Sequence, residues 1–282
     1  MLIFSYNLPF MKNPELNARN SPIRAVFNGA ANGAAKLLIR TIPGVTADAV
    51  TYTGLVAVIS GSVVKILPKE LISPETGSAT SLGLMAFGIL CDWLDGAVAR
   101  NKKKPKNYNA LNGALTDVIH NRFGESAMAL SRIFAASARR DAHGVVAATI
   151  SGLTAPLPSL LRAMVEKKGF FVPESGGNPL SFLGTRATRA VLTIPATSYP
   201  EIQILGNNSQ PILDGLSALG NISTTIERFL IYKKAISNQL EINPDEEAKD
   251  FGRVKVERLG TFTVINTVTM LAAGIIGLTA MQ

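Results

Sequence analysis

Apolar residues in this chain gather into long runs separated by short polar stretches, the pattern of a chain that crosses a bilayer several times. A transmembrane helix needs about 20 consecutive, mostly apolar residues. Residues 260–282 satisfy this without a single charge, and 142–161 are also uncharged. The runs at 47–67 and 77–90 are further candidates. Residues 110–138 are helical in pattern but carry Asp117, His120, Arg122, Glu125 and Arg132. Two weaker segments lie at 187–205 and 210–235, the first interrupted by Pro195 and Pro200, which cannot donate the backbone hydrogen bond of a helix interior. Ahead of them all, "RAVFNGAANGAAKLLIR" at 24–40 is amphipathic and too polar to span, so it is expected on the membrane surface. The expected fold is all-α: a polytopic membrane helix bundle with an amphipathic surface helix, six core transmembrane helices and an extra C-terminal one. This divides the chain into an N-terminal segment at 1–44, a membrane domain at 45–235, a charged linker at 236–258 and the last helix at 259–282.

Composition agrees. Of the 282 residues, 47% are hydrophobic and 17% charged, against about 25% charged in a typical soluble domain, and the mean hydropathy is +0.24. The net charge of +8 does not point to nucleic acid, because Lys and Arg lie between the apolar runs and form no stripe. Cytoplasmic loops enriched in Lys and Arg explain it better. With the N-terminus inside, Arg100, Lys102, Lys103, Lys104 and Lys106 are cytoplasmic, as are Lys167, Lys168, Lys233 and Lys234, while Arg139 and Arg140 run against the rule. Seven spans then put the C-terminus outside. The single cysteine, Cys91, excludes an internal disulfide. The N-terminus has no basic region followed by a small-residue cleavage site, so no cleavable signal peptide is expected.

The candidate chemistry sits where the second span ends and the third begins. Asp92 and Asp95 are three apart, and Asp117 and Asn121 four apart; on a helix each spacing puts both residues on one face. Both pairs belong to the same side of the membrane and can converge. Carboxylates brought together in apolar surroundings repel unless cations lie between them, and intramembrane ionisable residues mark function by default. The alternative is a set of interfacial salt bridges with Arg100, Arg122 and the lysines. Gly96, next to Asp95, and Gly113, one turn before Asp117, shift the balance, because bare backbone admits a bulky ligand. With Arg100 and the basic loop, a site for metal plus pyrophosphate becomes the better reading. All-oxygen donors suit Mg²⁺, Mn²⁺ or Ca²⁺ rather than zinc.

The runs "DWLDGAVAR" at 92–100 and "GALTDVIHN" at 113–121 resemble the signature of the CDP-alcohol phosphatidyltransferases, D-x-x-D-G-x-x-A-R followed by G-x-x-x-D-x-x-x-D. Seven of its eight defining positions match in order. The stretches "IPGVTADAVTYTGL", "LLRAMVEKKG" and "STTIERFLIYKK" are also similar to family segments, so the resemblance covers about 25–235. It implies an enzyme that displaces CMP from a CDP-diacylglycerol-like lipid with an alcohol acceptor, using Mg²⁺ or Mn²⁺ at a site facing the cytoplasm. By matching position, Asp92, Asp95, Asp117 and Asn121 would be metal ligands. Gly96, Ala99 and Gly113 would make room for the cytidine nucleotide, with Arg100 near the phosphates. Membrane lipids surround such folds, which commonly form homodimers.

Two departures stand out. The loop between Arg100 and Gly113 is longer than in the family pattern and adds four lysines. Its roles as a topology signal or as a holder of anionic lipid or acceptor both stay open. The final Asp is replaced by Asn121, whose carbonyl can bind a metal but which cannot take a proton. Another base would then serve: His120, about 100° around the helix, or Glu125, on the same face one turn deeper. Metal activation of the acceptor alone, or loss of transfer with retained CDP-lipid binding, are the other readings. Arg162 and Arg228, near the inner ends of the fourth and sixth spans, are candidate cations for a sugar phosphate or polyol phosphate acceptor, with Arg186 and Arg189 able to help. Resemblance at "STTIER" and the N-terminal segment leans toward inositol phosphate.

Overall fold

The computed structural model of the chain describes residues 22–102, 110–167, 186–204, 207–237 and 246–282. They form helices α1 (Pro22–Thr41), α2 (Ala47–Ile66), α3 (Pro74–Asn101), α4 (Ala110–Ala138), α5 (Ala142–Thr154), α6 (Leu157–Glu166), α7 (Arg186–Ser198), α8 (Ser209–Ser237) and α9 (Glu246–Thr279). Among the described residues the departure from an all-helical fold is a two-stranded antiparallel ribbon, β1 (Gln203–Ile204) and β2 (Asn207–Asn208), between α7 and α8.

Local sequence sets the ends. Thr46 caps α2, its hydroxyl accepting from the Ala49 amide at 3.1 Å, and Ser73 caps α3 with Pro74 in the first turn; both satisfy amides that a helix start leaves without partners. At the far end of α4 the Asp141 amide donates to Ala136 O and the Arg140 amide to Ser137 O, both at 2.9 Å. That is the Schellman pattern, with Arg140 at φ 56° where glycine is usual. Asp141 then caps α5. The two arginines that run against the topology rule are therefore placed at a helix end. Arg139 donates to Gln210; burial lowers its pKa, while the charges of Asp141 and Glu201 raise it.

Among the described residues, four stretches are long and apolar enough to cross a membrane: Ala47–Ile66, Pro74–Asn101, Ala142–Met164 and Arg253–Thr279. This is the architecture of an integral membrane protein. Helices α4 and α8, 29 residues each, have the length, at about 1.5 Å per residue, but they carry buried polar groups. The interior is notably polar, with Arg132, Asp214, Asn221 and Asn266 all below 4% exposed, while Val56, Ile59, Val63 and Ile66 form an outward apolar stripe on α2. Such an inversion suits a bilayer, where the surface must be apolar and buried polar groups must find each other. Arg132 Nε lies 2.9 Å from Asp214 Oδ1, and Arg132 Nη1 donates to Thr197 Oγ1 at 3.0 Å, tying α4 to α8 and α7. The expected span at 187–205 is helical over 13 described residues only, ending before the ribbon.

Close packing of α2 on α3 rests on glycine. A Cβ at Gly88 would overlap Val58 and lie 2.8 Å from Gly54 O, and one at Gly54 would lie 2.8 Å from Cys91 Cβ. The segment expected as a linker, 236–258, is helical from Glu246 onward and continuous with the last span. That helix is built into the bundle: Met270 and Ala273 join Ile133 and Val145 in one core cluster, and Ser137 Oγ donates to Gly277 O at 2.8 Å.

Candidate functional site

Both halves of the motif meet helix α2. On α3, Asp95 is 7% exposed, and Thr51 of α2 donates to its Oδ2 at 2.6 Å. The glycine-mediated approach of α2 and α3 one turn further along makes that contact possible. Asp92, one turn back on the same face, is half-buried. On the other side, α4 docks on α2 at Gly124, where a Cβ would sit 3.4 Å from Val58 Cγ1. Asp117 lies seven residues before Gly124, two turns along the same helix face; its helical backbone and that of Gly113 are described, while the Asp117 side chain lies outside the described residues. His120 packs edge-on against Tyr52, ring centroids 4.4 Å apart. Adjacent residues of α2, Thr51 and Tyr52, therefore touch the two motif halves, and α3 and α4 pack far more on α2 than on each other.

The neighbouring positions sort themselves. Arg100 folds back over its own helix, its Nη1 3.3 Å from where a Gly96 Cβ would be, so a side chain at Gly96 would press on the guanidinium. Ala99 is half-buried and Arg100 exposed at the end of α3. Lys102 donates to Pro43 O at 3.0 Å, pinning the loop between α1 and α2 beside that end. Asn121 is half-buried. Of the two alternative bases, Glu125 is engaged by Arg122, which also donates to Ala155 O at 2.7 Å. His120 has a buried Nδ1 without a hydrogen-bond partner among the described residues. Of the acceptor cations, Arg162 is half-buried on α6, whereas Arg228 is 7% exposed and donates to Pro158 O. The side chains of Arg186 and Arg189 lie outside the described residues.

Among the described residues no group of three His, Cys, Asp or Glu side chains is placed to hold a metal ion. The site donors that are described, the Asp92 and Asp95 carboxylates and the Asn121 amide, are all oxygen-bearing, as a hard divalent cation requires. The Asp95 carboxylate, oriented by Thr51, fits that use. Thr51 and Tyr52 were not legible as site residues, because their partners lie on other helices. The expected effect of Thr51→Val, which keeps the shape and removes the donor, is roughly 10-fold weaker Mn²⁺ binding, measured by the electron-spin signal of free Mn²⁺ during titration. Unchanged affinity would separate this hydrogen bond from the metal site.

This arrangement of helices is shared with solved structures. No protein-family model matches the chain. It is 31% identical to a phosphatidylinositol phosphate synthase of Mycobacterium marinum over 147 residues, which are 52% of this chain and 57% of that protein. The match thus spans little more than half of that relative. The fold is shared with the phosphatidylinositol phosphate synthase of Mycobacterium tuberculosis crystallised with CDP-DAG bound: TM-score 0.55 and 22% identity, covering 72% of this chain and 92% of that one. The complex of the same enzyme with manganese and citrate gives a TM-score of 0.52 at 20% identity, covering 72% and 88%. The chain is thus similar in sequence, over about half its length, to one phosphatidylinositol phosphate synthase and similar in fold to another.

Proposed function

We propose that this protein transfers a phosphatidyl group from a CDP-linked lipid, CDP-diacylglycerol above all, to an alcohol acceptor and releases CMP. The observation that supports the reading is that adjacent residues of α2 touch both motif helices, Thr51 holding Asp95 of α3 and Tyr52 packing on His120 of α4. In the transfer, the acceptor oxygen forms a bond to the phosphatidyl phosphorus, the bond to CMP oxygen breaks, and the hydroxyl proton leaves. A bound Mg²⁺ or Mn²⁺ would neutralise the pyrophosphate and stabilise the leaving CMP; Asp92, Asp95, Asp117 and the Asn121 carbonyl are the residues to hold it. Gly96, Ala99 and Gly113 leave room for the nucleotide, with Arg100 at the phosphates. Asn121 orients the acceptor hydroxyl but takes no proton, and Glu125 is occupied by Arg122, so His120 is the described side chain left to accept one. Arg162 is the acceptor cation we favour, for a sugar phosphate or polyol phosphate; the similarity to phosphatidylinositol phosphate synthases supports inositol phosphate. The basic residues Arg100 and Lys102 support a cytoplasm-facing site, in a bundle of six core spans plus α9.

Asn121 also favours a second reading, a homologue that binds CDP-lipid without transferring it. Purified protein given CDP-diacylglycerol, Mg²⁺ or Mn²⁺ and a panel of acceptors decides between them. Acceptor-dependent CMP release is expected. Metal-dependent CDP-lipid binding with no CMP release from any acceptor would select the binding reading.

A further inference from the structure

The third apolar stretch, Ala142–Met164, is broken in the middle by Pro156 and Pro158, and three other helices reach in to hold the break. Inside a bilayer every backbone carbonyl must find a partner within the protein. Pro156 has no N–H, so Gly152 O loses the donor an unbroken helix would supply; Asn266 Nδ2 of α9 donates to it at 3.0 Å. The Ser159 amide, which would serve Ala155 O in a continuous helix, turns instead to Pro156 O at 3.1 Å. Arg122 Nη1 of α4 donates to Ala155 O at 2.7 Å. In the first turn of α6, Pro158 O accepts from Arg228 of α8. The three donors are between 3% and 7% exposed. Asn266 is itself fixed, its Oδ1 accepting from Ser126 Oγ at 2.7 Å. Gly152 lets the helices close in, since a Cβ there would lie 2.6 Å from Met270 Sδ and 2.9 Å from Ala129 Cβ.

We propose that this break is a joint held by side chains, and that Asn266, with Arg122 and Arg228, are positioning residues that set α6 and its Arg162 relative to the motif on α4. Arg122 directly follows Asn121, so the strut to the joint starts beside the site. The C-terminal helix then belongs to the working unit, because it supplies the donor that Pro156 lacks. The link to Arg162 rests on the transfer reading above; the joint itself does not.

The test uses the full chain in lipid nanodiscs. Asn266→Leu removes the donor at similar volume, and Asn266→Leu combined with Pro156→Ala gives Gly152 O an amide of its own. Two readouts are taken: amide exchange over residues 152–166, and the KM for acceptor and for CDP-diacylglycerol separately. Asn266→Leu should speed exchange in that segment and raise the acceptor KM by roughly 3- to 10-fold, with the CDP-lipid KM unchanged, and the double variant should recover both. Wild-type exchange and KM in Asn266→Leu, equal shifts in both KM values, or a double variant no better than the single one would overturn the proposal. If Asn266→Leu does not fold, Arg228→Lys, which keeps the charge but shortens the reach, is read by the same two measurements. If the wild type releases no CMP, the transfer reading fails while amide exchange still decides the joint.

Discussion

Asp95→Asn is expected to cut metal-dependent CMP release by at least about 100-fold, the upper end of what losing a mere outer-shell partner of a metal costs. The substitution is nearly isosteric. Its amide oxygen can still accept from Thr51 Oγ1, which lies 2.6 Å from Asp95 Oδ2, so the α2–α3 contact survives and the bundle stays folded. What disappears is one negative charge, at a position only 7% exposed. In such surroundings a carboxylate is costly unless a cation offsets it, so removing the charge should leave stability intact or improve it while activity falls. Thermal melting and Mn²⁺ titration on the same sample separate the outcomes. Retained CMP release with wild-type Mn²⁺ affinity would return Asp95 to the role of a structural hydrogen-bond acceptor.

Asn121→Asp should accelerate transfer by roughly 10- to 100-fold, up to the lower end of what a positioned general base contributes. The neighbouring carboxylate cannot substitute, because Glu125 is paired with Arg122, whose guanidinium also holds Ala155 O. His120 lies against Tyr52, about 100° around the helix from Asn121, and is a less direct proton acceptor. A pH–rate profile identifies the base in use. The acid limb of the Asn121→Asp profile should lie at lower pH than that of the wild type, because a carboxylate as base stays ionised to lower pH than an imidazole. An Asn121→Asp enzyme no faster than wild type, with an unchanged profile, would show that the proton never goes to this position.

The motif was readable because its logic is local. Spacings of three and four residues put Asp92 with Asp95, and Asp117 with Asn121, on one face of a helix whatever that helix packs against. The apolar runs were readable for the same reason: span length and hydropathy belong to the segment itself. From Glu246 the charged residues form a helix that continues into the last apolar run. The roles of Glu125 and Arg228 were not readable at all. A charged side chain looks available in sequence, and only its neighbours reveal that Glu125 pairs with Arg122 and that Arg228 donates to Pro158 O.

The sequence by itself determined a helical membrane protein, the order of its main apolar helices, the paired acids and the amide in the fourth place. Tertiary structure decided which distant groups meet. Thr51 and Asp95 are 44 residues apart, and Asn266 and Gly152 are 114 apart; no periodicity encodes such pairings. They arise because glycines let helices approach and because polar groups shut away from water must find one another across the bundle.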